Sequence, residues 1–213
     1  MNNHYFFSEE ELDLLTTFSK WRLIATGSAE EHAVVPPEDY CRWVNRSSHQ
    51  HPYREMFFVL SGVTFSSLNG KTYRCEPGTL FLIEAGEIHD FFYPPSTGDF
   101  RHIWFGQARN TIIMRAVYSY QNGKVQNDNT GGITCRDHSG LSFIGKWDKF
   151  KSLAATNPPF AVLLMKYAWG NLITELCREG FLGPSDQDAE NECRKIITAV
   201  ADHIRDKIGR AHV

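Results

Sequence analysis

Apolar and polar positions change rhythm along the chain. Near the start, Leu12, Leu14 and Leu15 follow Ser8 and Glu11, a pair at capping-box spacing, which predicts a short helix over residues 8–19. Residues 21–136 turn to short runs rich in Val, Ile, Phe, Tyr and Thr, broken by turn residues. The runs are WRLIAT, YCRWVN, EMFFVL, VTFSSL, KTYRC, TLFLIE, IHDFFY and FRHIWF. Asn69-Gly70 is a two-residue hairpin signal between two of them, and Asn122-Gly123 after AVYSYQ is a second. Eight or so strands at this spacing predict a closed barrel or a sandwich. After residue 145 the spacing becomes helical. Asn157 and Pro158 open a run in which Ala161, Leu164, Met165, Ala168, Leu172, Ile173 and Leu176 recur on one side, with Gly180 as its stop. A polar linker over 182–191 leads to a second helix carrying Ile196, Ile197, Val200, Ile204 and Ile208.

Composition narrows the class. With 213 residues, 42% hydrophobic and 22% charged, the chain has material for one substantial soluble domain. The longest purely apolar run, FAVLLM at 160–165, is too short to span a bilayer, and the start has no basic segment followed by an apolar one. Five scattered cysteines without a CxxC pair fit reduced thiols and predict a cytoplasmic location. A net charge of −3 with no long Lys/Arg cluster argues against nucleic-acid binding by this chain alone.

The candidate chemistry sits in HQHPYREMFFVLSG, residues 49–62. His49, His51 and Glu55 share odd parity, so an unbroken strand would aim all three to one face, although Pro52 interrupts the backbone donors between them. His89 follows in GTLFLIEAGEIHDFFY, residues 78–93. Single histidines usually serve packing or hydrogen bonding. Three imidazoles and a carboxylate at these offsets can instead hold one divalent transition metal such as Zn, Ni, Fe or Mn.

These spacings resemble the two cupin motifs. HxH, three residues, Glu, six residues, Gly is the pattern of the first; Gly78, five residues, Glu84-Ala85-Gly86, two residues, His89 is that of the second. Glu84 stands where proline is usual in the family, and Tyr93 where asparagine is usual. The wider string, from HPYREMFFVLSG through LNGKTYRCEPGTLFLIEAGEIHDFFY to FRHIWFG, resembles the N-terminal ligand-binding domain of AraC-type transcription regulators. That resemblance implies a mainly β, cupin-type double-stranded β-helix (jelly-roll) barrel followed by an α-helical dimerisation segment. It divides the chain into an N-terminal helical arm (1–20), an effector-binding barrel (21–142), a helical dimerisation segment (143–183), and a linker with the first helix of a truncated DNA-binding domain (184–213).

By the same resemblance the barrel senses a small effector, often a sugar, and is not an enzyme; DNA is met only through a domain beyond this chain, and the chain forms a homodimer. Tyr53, Phe57 and Phe91 share the phase of the histidines, and the resemblance turns Phe100 and His102 inward, giving an aromatic wall with a few polar groups suited to a sugar. Core packing is the plainer explanation for each ring taken singly. Phe58, Leu60, Ile103 and Phe105 are expected to face away into a second layer. The competing reading is a metal-dependent cupin enzyme, a dioxygenase or sugar isomerase. It calls for a general acid or base near the cluster that the sequence does not identify.

Overall fold

In a computed structural model, residues 7–27, 32–90, 93–94, 97–108, 111–119, 125–134, 138–178 and 198 are described. They fall into two units, Arg22–Cys135 and Met1–Trp21 with Arg136–Val213. Phe91, the Asn122-Gly123 turn, Gly180, and the linker and second helix expected beyond it lie outside the described residues, save Thr198.

The first unit is built from strands β1 (Arg22–Ile24), β2 (Ser48–His49), β3 (Arg54–Ser61), β4 (Thr64–Leu68), β5 (Lys71–Cys75), β6 (Thr79–Ile83), β7 (His89–Asp90), β8 (Phe100–Ala108), β9 (Thr111–Ser119) and β10 (Val125–Thr134). One sheet runs in the order β1-β6-β3-β8-β9-β10 and the other in the order β2-β7-β4-β5. Among the described residues only β1 and β6 pair in parallel; the other pairings are antiparallel. Side chains from both sheets meet in one core: Ile24, Phe57, Val59, Phe81, Ile83, Phe100, Trp104 and Val117 from the larger, Leu68, Tyr73 and Cys75 from the smaller. On the opposite face of the larger sheet Phe58, Leu60, Ile103 and Phe105 are also buried. Period-2 alternation therefore sorts two apolar sets, both shielded from water.

The β4–β5 hairpin turns at Asn69 (φ 50°) and Gly70 (φ 77°), the left-handed pair that a two-residue turn demands. Gly62 (φ 79°), between β3 and β4, is required for a second reason: a Cβ there would sit 2.3 Å from the Asp99 carbonyl oxygen and 2.7 Å from Phe100 Cα.

One expected strand is a helix. YCRWVN belongs to α2 (Glu38–Ser47), a ten-residue helix that starts directly after Pro36-Pro37. Glu38 and Asp39 sit in its first turn and Arg46 in its last, as the helix dipole favours. Tyr40 is buried, with Trp43 and Val44 half-buried, and an i,i+4 pair joins Glu38 to Arg42 at 3.2 Å. The aromatic and β-branched content suggested a strand, but the 3.6-residue spacing and the proline start win.

In the second unit, α1 (Glu9–Thr16) carries the full capping box. The Glu11 N–H donates to Ser8 Oγ at 3.2 Å and the Ser8 N–H donates to Glu11 Oε2 at 2.9 Å. Two further helices follow the strands in sequence, α3 (His138–Ala154) and α4 (Pro158–Arg178). The second begins as expected, with the Phe160 N–H donating to Asn157 Oδ1 at 3.4 Å. The first was not anticipated, although Phe143, Trp147 and Phe150 are all buried at helical spacing. On α4, Ala161, Met165, Ala168, Leu172 and Ile173 are buried, Leu164 is half-buried and Phe160 is exposed.

Candidate metal centre

Two short strands create the core of the site. β2 and β7 pair with His49 opposite His89, which brings the two rings to a centroid distance of 4.3 Å. His51 lies in the break between β2 and β3, so strand parity does not place it. The Gly86 N–H donates to the His51 carbonyl at 2.8 Å and holds that break against the β6–β7 loop. Glu55 enters from β3, opposite Gly106 of β8. The ligand nitrogens of His49, His51 and His89 all lie within 4.8 Å of one another. Glu55 Oε2 lies 3.2 Å from His51 Nε2 and 3.7 Å from His89 Nε2. All four expected side chains converge.

The orientation of two rings is fixed from behind. His51 Nδ1 is 2.8 Å from the Tyr53 carbonyl and His89 Nδ1 is 2.9 Å from the Glu87 carbonyl. A carbonyl only accepts, so each ring donates from Nδ1 and its Nε2 is left with a lone pair whenever the ring is neutral. Both Nε2 atoms are buried without an aligned hydrogen bond among the described residues. Glu87 is itself tethered: Oε1 accepts from Thr26 Oγ1 at 2.5 Å and Asn69 Nδ2 at 3.0 Å, and Oε2 from the Glu84 N–H at 2.8 Å. The left-handed hairpin tip thus supports the carbonyl that aims His89.

Electrostatics follow from this crowding. Burial and the neighbouring His89 and His51 hold the His49 imidazole below its ordinary pKa. Burial pulls His89 the same way, but the Glu55 carboxylate and the Glu87 carbonyl outweigh it and leave His89 raised. Burial would raise Glu55, yet His89, His51 and Arg115 bring it below the usual carboxylate range. Two buried imidazole lone pairs, a third imidazole and a carboxylate form a donor set that fits a divalent first-row ion. Nitrogens sharing such an ion stand roughly 3–3.5 Å apart, within side-chain adjustment of the observed spread. An ion binds only the unprotonated imidazoles, so affinity should weaken as pH falls.

The aromatic residues singled out for a ligand pocket divide in placement. Tyr53 is 40% exposed and stacks on His51, ring centroids 3.6 Å apart. Phe57 and Phe100 belong to the core cluster, and Phe57 stacks on Phe81 at 4.9 Å and on His102 at 5.2 Å. His102 is fully buried, with Nδ1 2.6 Å from Tyr93 Oη, and Tyr93 Oη accepts from Trp104 Nε1 at 2.7 Å. Tyr93 therefore organises a core polar group where the family usually has asparagine. Glu84, the other departure, accepts from Arg54 Nε at 2.9 Å.

Burial pushes the His102 imidazole down to about 3. Above pH 6.5 the ring is neutral folded or unfolded and contributes nothing to the pH dependence. Between pH 6.5 and about 3 only the unfolded chain takes up the proton, so stability falls as pH falls. The slope approaches ~1.4 kcal/mol per pH unit and accumulates to several kcal/mol. Urea unfolding of His102→Gln from pH 7 to 4 should show a shallower acid slope than the parent. Parallel slopes would mean that the ring titrates normally.

Sequence reasoning missed the anchor beneath the site. Asp90, next to His89 on β7, is buried. Its Oδ1 accepts from Ser66 Oγ at 2.8 Å and the Ser67 N–H at 2.9 Å, while Oδ2 accepts from Tyr40 Oη at 2.9 Å. This network ties α2 and β4 to the two-residue strand that carries His89. The sequence signal was an aspartate beside His89 inside the aromatic-rich IHDFFY run. Arg115 of β9 was missed as well. It lies over the Trp104 ring at 5.4 Å, and its Nη2 is 3.7 Å from Glu55 Oε1.

Residues 34–106, about a third of the chain, match the family model described as the cupin domain. No curated protein matches. A solved structure from Acidithiobacillus ferrooxidans, provisionally named a sugar phosphate isomerase, shares 16% identity over 39% of this chain and 56% of its own, with a TM-score of 0.24. The matched part thus spans about half the length of that protein. At that score the likeness carries no argument about fold or activity. Among the described residues no helix is long and apolar enough to cross a membrane.

Proposed function

We propose that this cupin domain is a metal-assisted sensor: His49, His51, Glu55 and His89 hold one divalent ion, and a small oxygen-rich metabolite docks beside it. The carrying observation is the pair of buried Nε2 lone pairs on His51 and His89, each fixed by a backbone carbonyl behind its ring. An ion there would supply a Lewis-acidic anchor for ligand oxygens. The chain's own groups do the rest. The Glu87 and Tyr53 carbonyls set the tautomers, Tyr53 covers one side of His51, and the rings of Phe57, Phe81 and Trp104 pack against one another in the core.

The finer reading is the effector-binding domain of an AraC-type regulator, acting as a homodimer and reaching DNA only through another domain. It is supported by the order of the motifs and by α3 and α4 following the strands. A bound effector would act by favouring one arrangement of the dimer over another. The reading is tested by elemental analysis of protein purified without a metal-affinity step, then a thermal-shift screen of sugars and sugar acids on the metal-loaded chain. One equivalent of a divalent metal and stabilisation by a metabolite without turnover are expected. Metal-dependent turnover, lost in His51→Ala, would favour an enzyme instead.

A further inference from the structure

The cross-strand register sets out the core-facing side of the larger sheet in rows. Glu55 stands opposite Gly106, and Gly106 opposite Ile113; in the next row Phe57 stands opposite Trp104, and Trp104 opposite Arg115. Directly opposed residues on paired strands share a face. Arg115 therefore shares a row with the core aromatics Phe81, Phe57 and Trp104, one step along the strands from the row of Glu55. Its side chain is 32% exposed, so it reaches solvent at the end of the sheets where the histidines gather. Its ion pair to Glu55 Oε1, 3.7 Å long, exceeds hydrogen-bond length, and among the described residues no other carboxylate pairs with it. The guanidinium carbon lies 5.4 Å from the centroid of the Trp104 ring, a cation–π contact that uses none of its N–H donors.

A guanidinium offers five donors in a planar fork matched to oxyanions. A divalent ion on three neutral imidazoles and one carboxylate leaves net positive charge, and Arg115 adds to it. A neutral ligand would leave that charge unanswered. Gly106, facing Glu55, leaves space beside it: a Cβ there would come no closer than 3.9 Å to Glu55 Oε1.

We propose that the molecule taken at this site carries an acid group, a carboxylate or phosphate on a small hydroxylated or oxo-bearing skeleton, which Arg115 binds while a neighbouring oxygen meets the ion. This rests on the metal reading above and adds the ligand's charge class and the residue that selects it. The alternative role for Arg115, a plain counter-ion for Glu55, predicts a different pattern and is separable by experiment.

The test is calorimetry on the full chain loaded with Mn²⁺, using a panel of hydroxy- and oxo-acids, each paired with its amide or neutral sugar, and sugar phosphates paired with the free sugars. At least one acid should bind tenfold or more tighter than its neutral partner; which arm responds distinguishes carboxylate from phosphate. Arg115→Gln should erase that preference while leaving Mn²⁺ affinity within about threefold, and Arg115→Lys should restore part of it. Neutral partners binding as well as acids, or a silent panel on metal-loaded protein, would overturn the proposal. So would an Arg115→Gln variant that keeps the acid preference, or one that loses Mn²⁺ and acids together. If the parent takes up no Mn²⁺, the metal reading fails. The panel on the metal-free chain then decides this proposal by whether acid preference persists and depends on Arg115.

Discussion

His89→Ala should weaken divalent-metal binding by about 100-fold or more, since loss of even a supporting group behind a ligand typically costs 10–100-fold. His89 is 1% exposed, lies opposite His49 on β2 and is aimed by the Glu87 carbonyl, so no nearby side chain can take over its place. His102→Gln is the matched control, a buried histidine in the same unit whose ring contacts Phe57, Tyr93 and Phe100 rather than the cluster. Mn²⁺ titration followed by calorimetry should separate the two, with circular dichroism confirming that both remain folded. Equal metal affinity in parent and His89→Ala would remove the site from consideration.

Gly62→Ala should be among the most destabilising single-methyl additions in the chain. Left-handed backbone costs an alanine about 1–2 kcal/mol. The added methyl must also displace the Asp99–Phe100 backbone, which it would approach at 2.3–2.7 Å, and overpacking of that kind costs about 1–3 kcal/mol more. Phe100 opens β8, so the displacement would spread into the strand that carries His102 and Trp104. Gly70→Ala shares the positive φ but meets nothing within 4 Å, and should show the backbone cost alone. At about 2–4 °C per kcal/mol for a chain of this size, the two melting temperatures should differ by several degrees. Matching losses would show that the close approach is not real.

Much of this architecture was legible in one dimension. Short runs of β-branched and aromatic residues bounded by turn residues located β3, β4, β5, β6 and β8, because such side chains suit a buried pleated sheet. Asn69-Gly70 marked its hairpin because few residues tolerate two successive left-handed conformations. The capping box at Ser8 and Glu11 and the helix start at Asn157 were readable because caps are local chemistry. Failures came where composition and spacing disagreed. YCRWVN has strand-like residues at helix-like spacing, and the proline pair before it decided in favour of α2. α3 hid because glycine and serine dilute its apolar stripe, leaving Phe143, Trp147 and Phe150 as the signal.

The site divides along the same line. The sequence by itself determined the four candidate ligands, because HxH followed by glutamate and a later glycine–histidine segment is a matter of residue type and spacing. Only the tertiary structure decided how they meet. His51 lies off the strand ladder and is held by a hydrogen bond from Gly86, and the Asn69–Glu87 tether crosses from one loop to another. Tyr40 reaches Asp90 across 50 residues of chain, and Arg115 arrives beside Glu55 from a strand 60 residues away. Such partners are chosen by sheet register and loop docking, which depend on the summed burial of many side chains rather than on any local pattern. A residue's type and its near neighbours are written in the chain, whereas its distant partners exist only once the two sheets have closed around their core.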